Sequence, residues 1–256
     1  MSEAVSFHDL KGVSVFITGG GSGIGAALTE SFVKQGSNVA FVQRSDASNF
    51  CDTLENQYGV RPLFLSCDAT NIKALNQAIQ EAKKANGEIR VLVNNAANDQ
   101  RHLTEEVDEA FWDSSLAINL KAYFFACQAV LPQMKSIGYG AIVNFSSISY
   151  IMGNTGYPVY ITANSGINGM MRSMAREFGP HNICVNTLAP GWVFRDKQLE
   201  KWATPEDLEV HLQRQCLKTH LKPSDIVDAA LFLASSASRM MTGQMMVVDG
   251  GVVGTG

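Results

Sequence analysis

The sequence predicts a doubly wound α/β fold: a parallel β-sheet of about seven strands with helices on both faces, formed by residues 1–256 as a single domain. Two features carry this expectation. Short β-branched runs alternate with longer segments whose apolar residues recur every three or four positions, and no linker, repeat or low-complexity stretch interrupts the alternation. The apolar fraction, 46% of 256 residues, is large enough to bury such a sheet between two helical layers.

Val13 to Thr18 reads as the first strand and Ile24 to Gln35 as the first helix. Asn38 to Val42 is the second strand, and Arg61 to Ser66 the third, leading into a helix over Ile72 to Ala85. Ile89 to Asn94 is the fourth strand, followed by a long helix over Phe111 to Met134. Ala141 to Ser146 is the fifth, followed by a second long helix over Val159 to Phe178. Ile183 to Leu188 and Met245 to Val248 complete the sheet, with a helix over Ser224 to Leu233 between them. Residues 191–222 are the least regular part and read as a late insertion or lid.

A net charge of −4 and the absence of any cluster of five Lys or Arg residues leave no basic field for a polyanion, so no nucleic-acid partner is expected. The five cysteines have no CxxC spacing and no ligand pattern with histidine, which suits buried thiols in a reducing compartment and predicts no metal site. Met1 to Leu10 lacks the apolar core of a signal peptide, and no run of 18 apolar residues exists. The expected location is the cytoplasm, away from the membrane.

The first strand ends in Thr18-Gly19-Gly20-Gly21-Ser22-Gly23-Ile24-Gly25 and runs straight into a helix. Glycines let backbone turn tightly and approach a pyrophosphate, whose charge is met by free N–H groups and the positive end of the helix dipole. Strand, glycine loop and helix in this order predict a Rossmann-type dinucleotide site, against the alternative of an ordinary turn. No Walker lysine follows. The second strand should deliver the residue beside the adenosine ribose, where an acid would favour NAD. Gln43 is neutral there, and Arg44 reads as an adenine-stacking group, a partner for a 2′-phosphate, or a solvated charge. The expected cofactor is therefore NADP, with NAD tolerated.

The wording Thr-Gly-x-x-x-Gly-Ile-Gly resembles the short-chain dehydrogenase/reductase family. The resemblance continues through Asp68, Asn94-Asn95-Ala96-Ala97, Asn119, Ser147, Tyr160, Pro190-Gly191 and Asp249-Gly250-Gly251. It implies a cofactor grip from Gly19, Gly21, Ser22, Gly23, Ile24, Gln43, Arg44, Asp68, Asn95, Ala96, Ala97, Tyr160, Asn164, Pro190, Gly191 and Val193. Asp68 reads either as the family's adenine contact or as a cap for the next helix. It also implies that an ionised Tyr160 takes the substrate hydroxyl proton while Ser147 polarises the reacting oxygen, with hydride passing to nicotinamide. Asn119 resembles the asparagine of a proton relay, or else is a helix interruption or a satisfied core amide. The resemblance further implies a homotetramer.

Two positions depart from the family pattern. Tyr160-Ile161-Thr162-Ala163-Asn164 places asparagine where the family has a lysine that binds the nicotinamide ribose and lowers the tyrosine pKa. Asn164 keeps a hydrogen bond but brings no charge, so a weak enzyme is expected, either a natural variant or an inactivated one; a catalytically silent dinucleotide-binding protein is the alternative. Arg195 stands where threonine is usual. The segments Asn94 to His102, Gly156 to Tyr160 and Pro190 to Val193 resemble those of bacterial aldose 1-dehydrogenases, which form lactones from pentoses or deoxyhexoses. Asn98, His102, Asn154, Tyr157, Trp192 and Gln198, with Ser147 and Tyr160, offer the hydrogen bonds and flat surface that a sugar needs. Met152 and the apolar residues near it suit a greasier alcohol or ketone.

Overall fold

The computed structural model describes residues 5–193 and 204–254. Seven strands form one sheet: β1 (Ser14–Thr18), β2 (Asn38–Gln43), β3 (Leu63–Ser66), β4 (Val91–Asn94), β5 (Gly140–Phe145), β6 (Ile183–Pro190) and β7 (Met245–Val248). They pair in parallel in the order β3-β2-β1-β4-β5-β6-β7. Between them run α1 (Gly23–Lys34), α2 (Ser48–Tyr58), α3 (Ile72–Asn86), α4 (Glu109–Leu116), α5 (Ala122–Ile137), the short α6 (Ser149–Met152), α7 (Pro158–Phe178), α8 (Pro205–Arg214) and α9 (Pro223–Ala234).

The two-residue period of each strand divides the core between the faces of the sheet. Val15, Ile17, Val91, Val93 and Val143 point into one apolar cluster with Leu28, Phe32 and Leu231. Phe16, Leu92 and Ile142 point into the other, with Ile79, Val130 and Met171. Each face is thus closed by helices, and only the strand ends remain open for a ligand. Successive strands depart to opposite sides of β1, so a crevice opens between the carboxyl ends of β1 and β4.

Three differences from the sequence reading have physical causes. Helix α2 buries only Cys51 and Leu54, too few apolar positions to register as a period. The long helix expected over Phe111 to Met134 is two helices, α4 and α5, joined by a π-helical turn at Ala117–Lys121 that contains Asn119. This run, Glu109–Ile137, is also apolar and long enough by composition to cross a membrane. Here it packs on α3, α7, β4 and β5. In the irregular stretch, Thr204 and Asp207 cap α8 reciprocally, and Val193 pairs with Leu221, so the segment returns to where it left. Arg195 and Gln198 lie outside the described residues.

Candidate active site

A cleft of about 720 Å³ runs along the carboxyl ends of the strands, from Arg44 and Asp68 at one end to Asn154 and Trp192 at the other. At its centre the chain turns at Gly19, φ +71°, where a Cβ would come within 3.0 Å of Ala96 Cα. The Asn95 amide donates to the carbonyls of Gly19 (3.1 Å) and Thr18 (3.3 Å), while the Thr18 hydroxyl accepts from the N–H groups of Asn95 and Ala96. The polar group of Asn95 is therefore spent on holding the glycine loop to β4. Gly25 packs so close that a Cβ would sit 1.8 Å from the Gly19 oxygen.

Of the residues expected to grip a cofactor, Gly19, Ser22, Ile24, Gln43, Arg44, Asp68, Asn95, Ala96, Ala97, Tyr160, Asn164, Pro190, Gly191 and Val193 line this cleft. Gly21 and Gly23 do not line it. Gly21 lies under the Gln43 side chain, which a Cβ would meet at 2.4 Å, and Gly23 opens α1 with φ +54°. Their glycine character is thus a packing and turning requirement. The Asp68 carboxylate accepts from the Thr70 N–H (2.9 Å) and hydroxyl (2.8 Å), so it holds the turn into α3 as well as lining the cleft. Burial opposes its charge, but Thr70 and the positive Arg44 outweigh this and keep its pKa below the usual carboxylate value.

At the other end, Ser147 follows β5 and accepts from the Ser149 N–H at 3.2 Å, while Tyr160 lies in the first turn of α7. The Tyr160 side chain is half-buried where it lines the cleft. Burial pushes the phenol up to about 12, and the negative charge of Asp99 and the neighbouring Tyr157 add to this. Asn164 and Ser147 favour the ionised form but do not offset burial. Asn164 is 2% exposed, and its amide donates to the Tyr160 carbonyl one turn back at 2.9 Å. Its place is neutral and partly committed to its own helix.

Asn119 is a satisfied amide at a helix interruption: it accepts from the Asn98 N–H (2.9 Å) and donates to the Asn98 carbonyl (3.0 Å) and the Ser115 hydroxyl (3.3 Å). It thereby fixes the loop that carries Asn98 and Asp99 along the cleft. Asn98, Asn154, Tyr157 and Trp192 all line the cleft, whereas His102 does not: its ring bonds to the start of α7 instead. Among the lining side chains that bear a charge or an imidazole, sequence reasoning missed three. Asp99 and Arg101 lay in a segment already singled out, and Arg101 stacks on Tyr157 at 3.7 Å. His211, on α8, meets Trp192 edge-on at 5.4 Å; nothing in its sequence surroundings marked it. Among the described residues no group of three His, Cys, Asp or Glu side chains could hold a metal ion.

The profile of the family described as Enoyl-(Acyl carrier protein) reductase matches residues 19–253. A protein of Rhizobium meliloti assigned as a galactose dehydrogenase is 46% identical over 96% of this chain and 97% of its own length. The D-xylose 1-dehydrogenase of Caulobacter vibrioides is 41% identical over 98% of this chain and 99% of its own. A solved structure from Sinorhizobium meliloti, assigned as a short-chain alcohol dehydrogenase, superposes with a TM-score of 0.90 at 32% identity, covering 96% of this chain and 98% of its own.

Proposed function

The chain belongs to the short-chain dehydrogenase/reductase family and is an oxidoreductase of nicotinamide dinucleotides, and on that premise we propose that it oxidises the C1 hydroxyl of an aldose, a pentose or deoxyhexose, to a lactone. The observation that carries this reading is the presence of the Ser147 hydroxyl and the Tyr160 phenol at one end of a cleft whose middle is the glycine turn. The cleft fits a dinucleotide: Gly19 turns the part-exposed backbone where a pyrophosphate needs close approach, Gly25 lets α1 pack directly on that turn, and α1 points its positive end there. When bound, the dinucleotide supplies the hydride acceptor.

Tyr160 takes the proton of the C1 hydroxyl as its carbon gives up hydride, and Ser147 holds and polarises that oxygen. Asn164 contributes a ribose hydrogen bond without charge, so little of Tyr160 is ionised near neutrality and turnover is slow. Asn98, Asn154 and Tyr157 offer the sugar hydrogen bonds and Trp192 a flat face. The assay mixes the protein with NADP⁺ or NAD⁺ and a panel of aldoses and follows nicotinamide absorbance from about pH 7 to about pH 10. Cofactor binding without turnover at every pH would establish the silent reading, which the phenol near 12 favours.

NADP is the preferred cofactor in this proposal. Gln43 presents no negative charge to a 2′-phosphate and Arg44 beside it supplies a positive one. Gln43→Asp is expected to shift the ratio of kcat/KM values toward NAD by about tenfold to a hundredfold, since one added like charge costs roughly 1.4–2.7 kcal/mol at this range. Unchanged selectivity would contradict the placement of the ribose. The proposal also includes a homotetramer in the cytoplasm; Trp112 and Phe124, 40% and 42% exposed on α4 and α5, suit a subunit contact, which light scattering would detect.

A further inference from the structure

A continuous set of hydrogen bonds runs through the loop after β4. It starts at Asn119, which clasps the Asn98 backbone. The Asn98 side chain accepts from the Gln100 N–H at 3.2 Å, and the Gln100 carbonyl meets His102 Nδ1 at 3.0 Å. His102 Nε2 accepts from the Val159 N–H at 3.3 Å, one residue before Tyr160. We propose that His102 is a positioning residue for the reaction: as a neutral imidazole it satisfies the first turn of α7 and thereby holds Tyr160 in place. This inference rests on the reading of Tyr160 given above.

The tautomer follows from the partners. A carbonyl only accepts, so Nδ1 carries the hydrogen and bonds Gln100, which leaves Nε2 bare to accept from Val159. The need also follows. The first N–H groups of a helix have no partner within it, and Val159 is 2% exposed, so water cannot readily serve its N–H. Pro158 has no N–H, and the Ile161 N–H already bonds the Tyr157 carbonyl at 3.1 Å. The ring is itself fixed, 8% exposed and edge-on to Phe111 at 4.6 Å, while its backbone N–H donates to the Gly156 carbonyl at 2.9 Å. The preceding Arg101 stacks on Tyr157, which in turn stacks on Tyr160 at 5.4 Å. Two consecutive side chains of one loop thus grip the helix start, and His102, outside the cleft, acts through α7 alone.

The test uses the full chain carrying Asn164→Lys, where turnover is large enough to separate kcat from KM. His102→Leu fills the space without an acceptor; His102→Gln returns a carbonyl oxygen at the reach of Nε2. His102→Leu is expected to lower kcat at least about tenfold while the KM for NADP⁺ moves less than about twofold, and His102→Gln to recover kcat to within about threefold. Amide hydrogen exchange at Val159 and Tyr160 is expected to quicken at least about tenfold in the Leu variant and little in the Gln variant. Equal kcat and exchange in parent and Leu variant, or equal damage in Leu and Gln variants, would overturn the proposal. Should the parent oxidise no aldose, the functional reading fails, and the exchange rates still decide the role of His102.

Discussion

Asn164→Lys is expected to raise turnover at about pH 7 by roughly two to three orders of magnitude and to move the optimum toward neutrality. The phenol of Tyr160 stands at about 12 because of burial and the negative charge of Asp99, while position 164, one helical turn on, carries no charge. A positive charge ~4 Å away, at an effective dielectric of ~20, is worth about 4 kcal/mol, or about three pKa units. The sign is unambiguous, because a cation favours tyrosinate over tyrosine. It would bring the phenol from about 12 toward ~9, so that the ionised fraction near neutrality rises by about a thousandfold. Position 164 lines the cleft, which leaves a longer side chain somewhere to extend. Steady-state rates with an aldose and NADP⁺ check this, and a gain below about threefold would mean that ionisation of Tyr160 does not limit the reaction.

Gly25→Ala is expected to abolish useful dinucleotide binding. The new Cβ would lie 1.8 Å from the Gly19 oxygen and 2.8 Å from the Asn95 amide nitrogen, and both of these hold the turn rather than yield to it. Relief requires α1 to move from β1 or the turn to open. Overpacking of this kind costs about 1–3 kcal/mol or more, and its effect falls on the backbone that would meet the pyrophosphate. A loss of about 3 kcal/mol in binding corresponds to roughly a hundredfold weaker Kd, measurable by titration calorimetry with NADP⁺. The melting temperature should fall as well. Binding within about threefold of the parent would show that the dinucleotide does not use this turn.

The sheet was legible because β1, β4, β5 and β6 are buried on both faces, and such strands write themselves as β-branched runs. Helix α2 was not, because two buried residues make no period. The π-helical turn was invisible for a different reason: it carries Asn119, whose side chain bonds the Asn98 backbone, a contact across 21 residues that no local pattern records. In the site, residue types and spacing located Ser147, Tyr160 and Asn164. They could not tell which polar groups face the cleft and which are consumed internally. Asn95 and His102 both look like ligand contacts in sequence, and both spend their side chains on backbone. The height of the Tyr160 pKa is likewise not legible from position 164 alone, since it depends on burial and on the charge of Asp99, which also lines the cleft.

In the reaction proposed above, proton transfer to Tyr160 without help from a neighbouring cation governs the rate, and the pH dependence of kcat on a saturating aldose reads this directly. With the phenol near 12, log kcat should climb by about one for each pH unit from about pH 7 to about pH 10, with no plateau. A profile already level by about pH 8 would rule this out, because the ionising group would then be something other than this phenol.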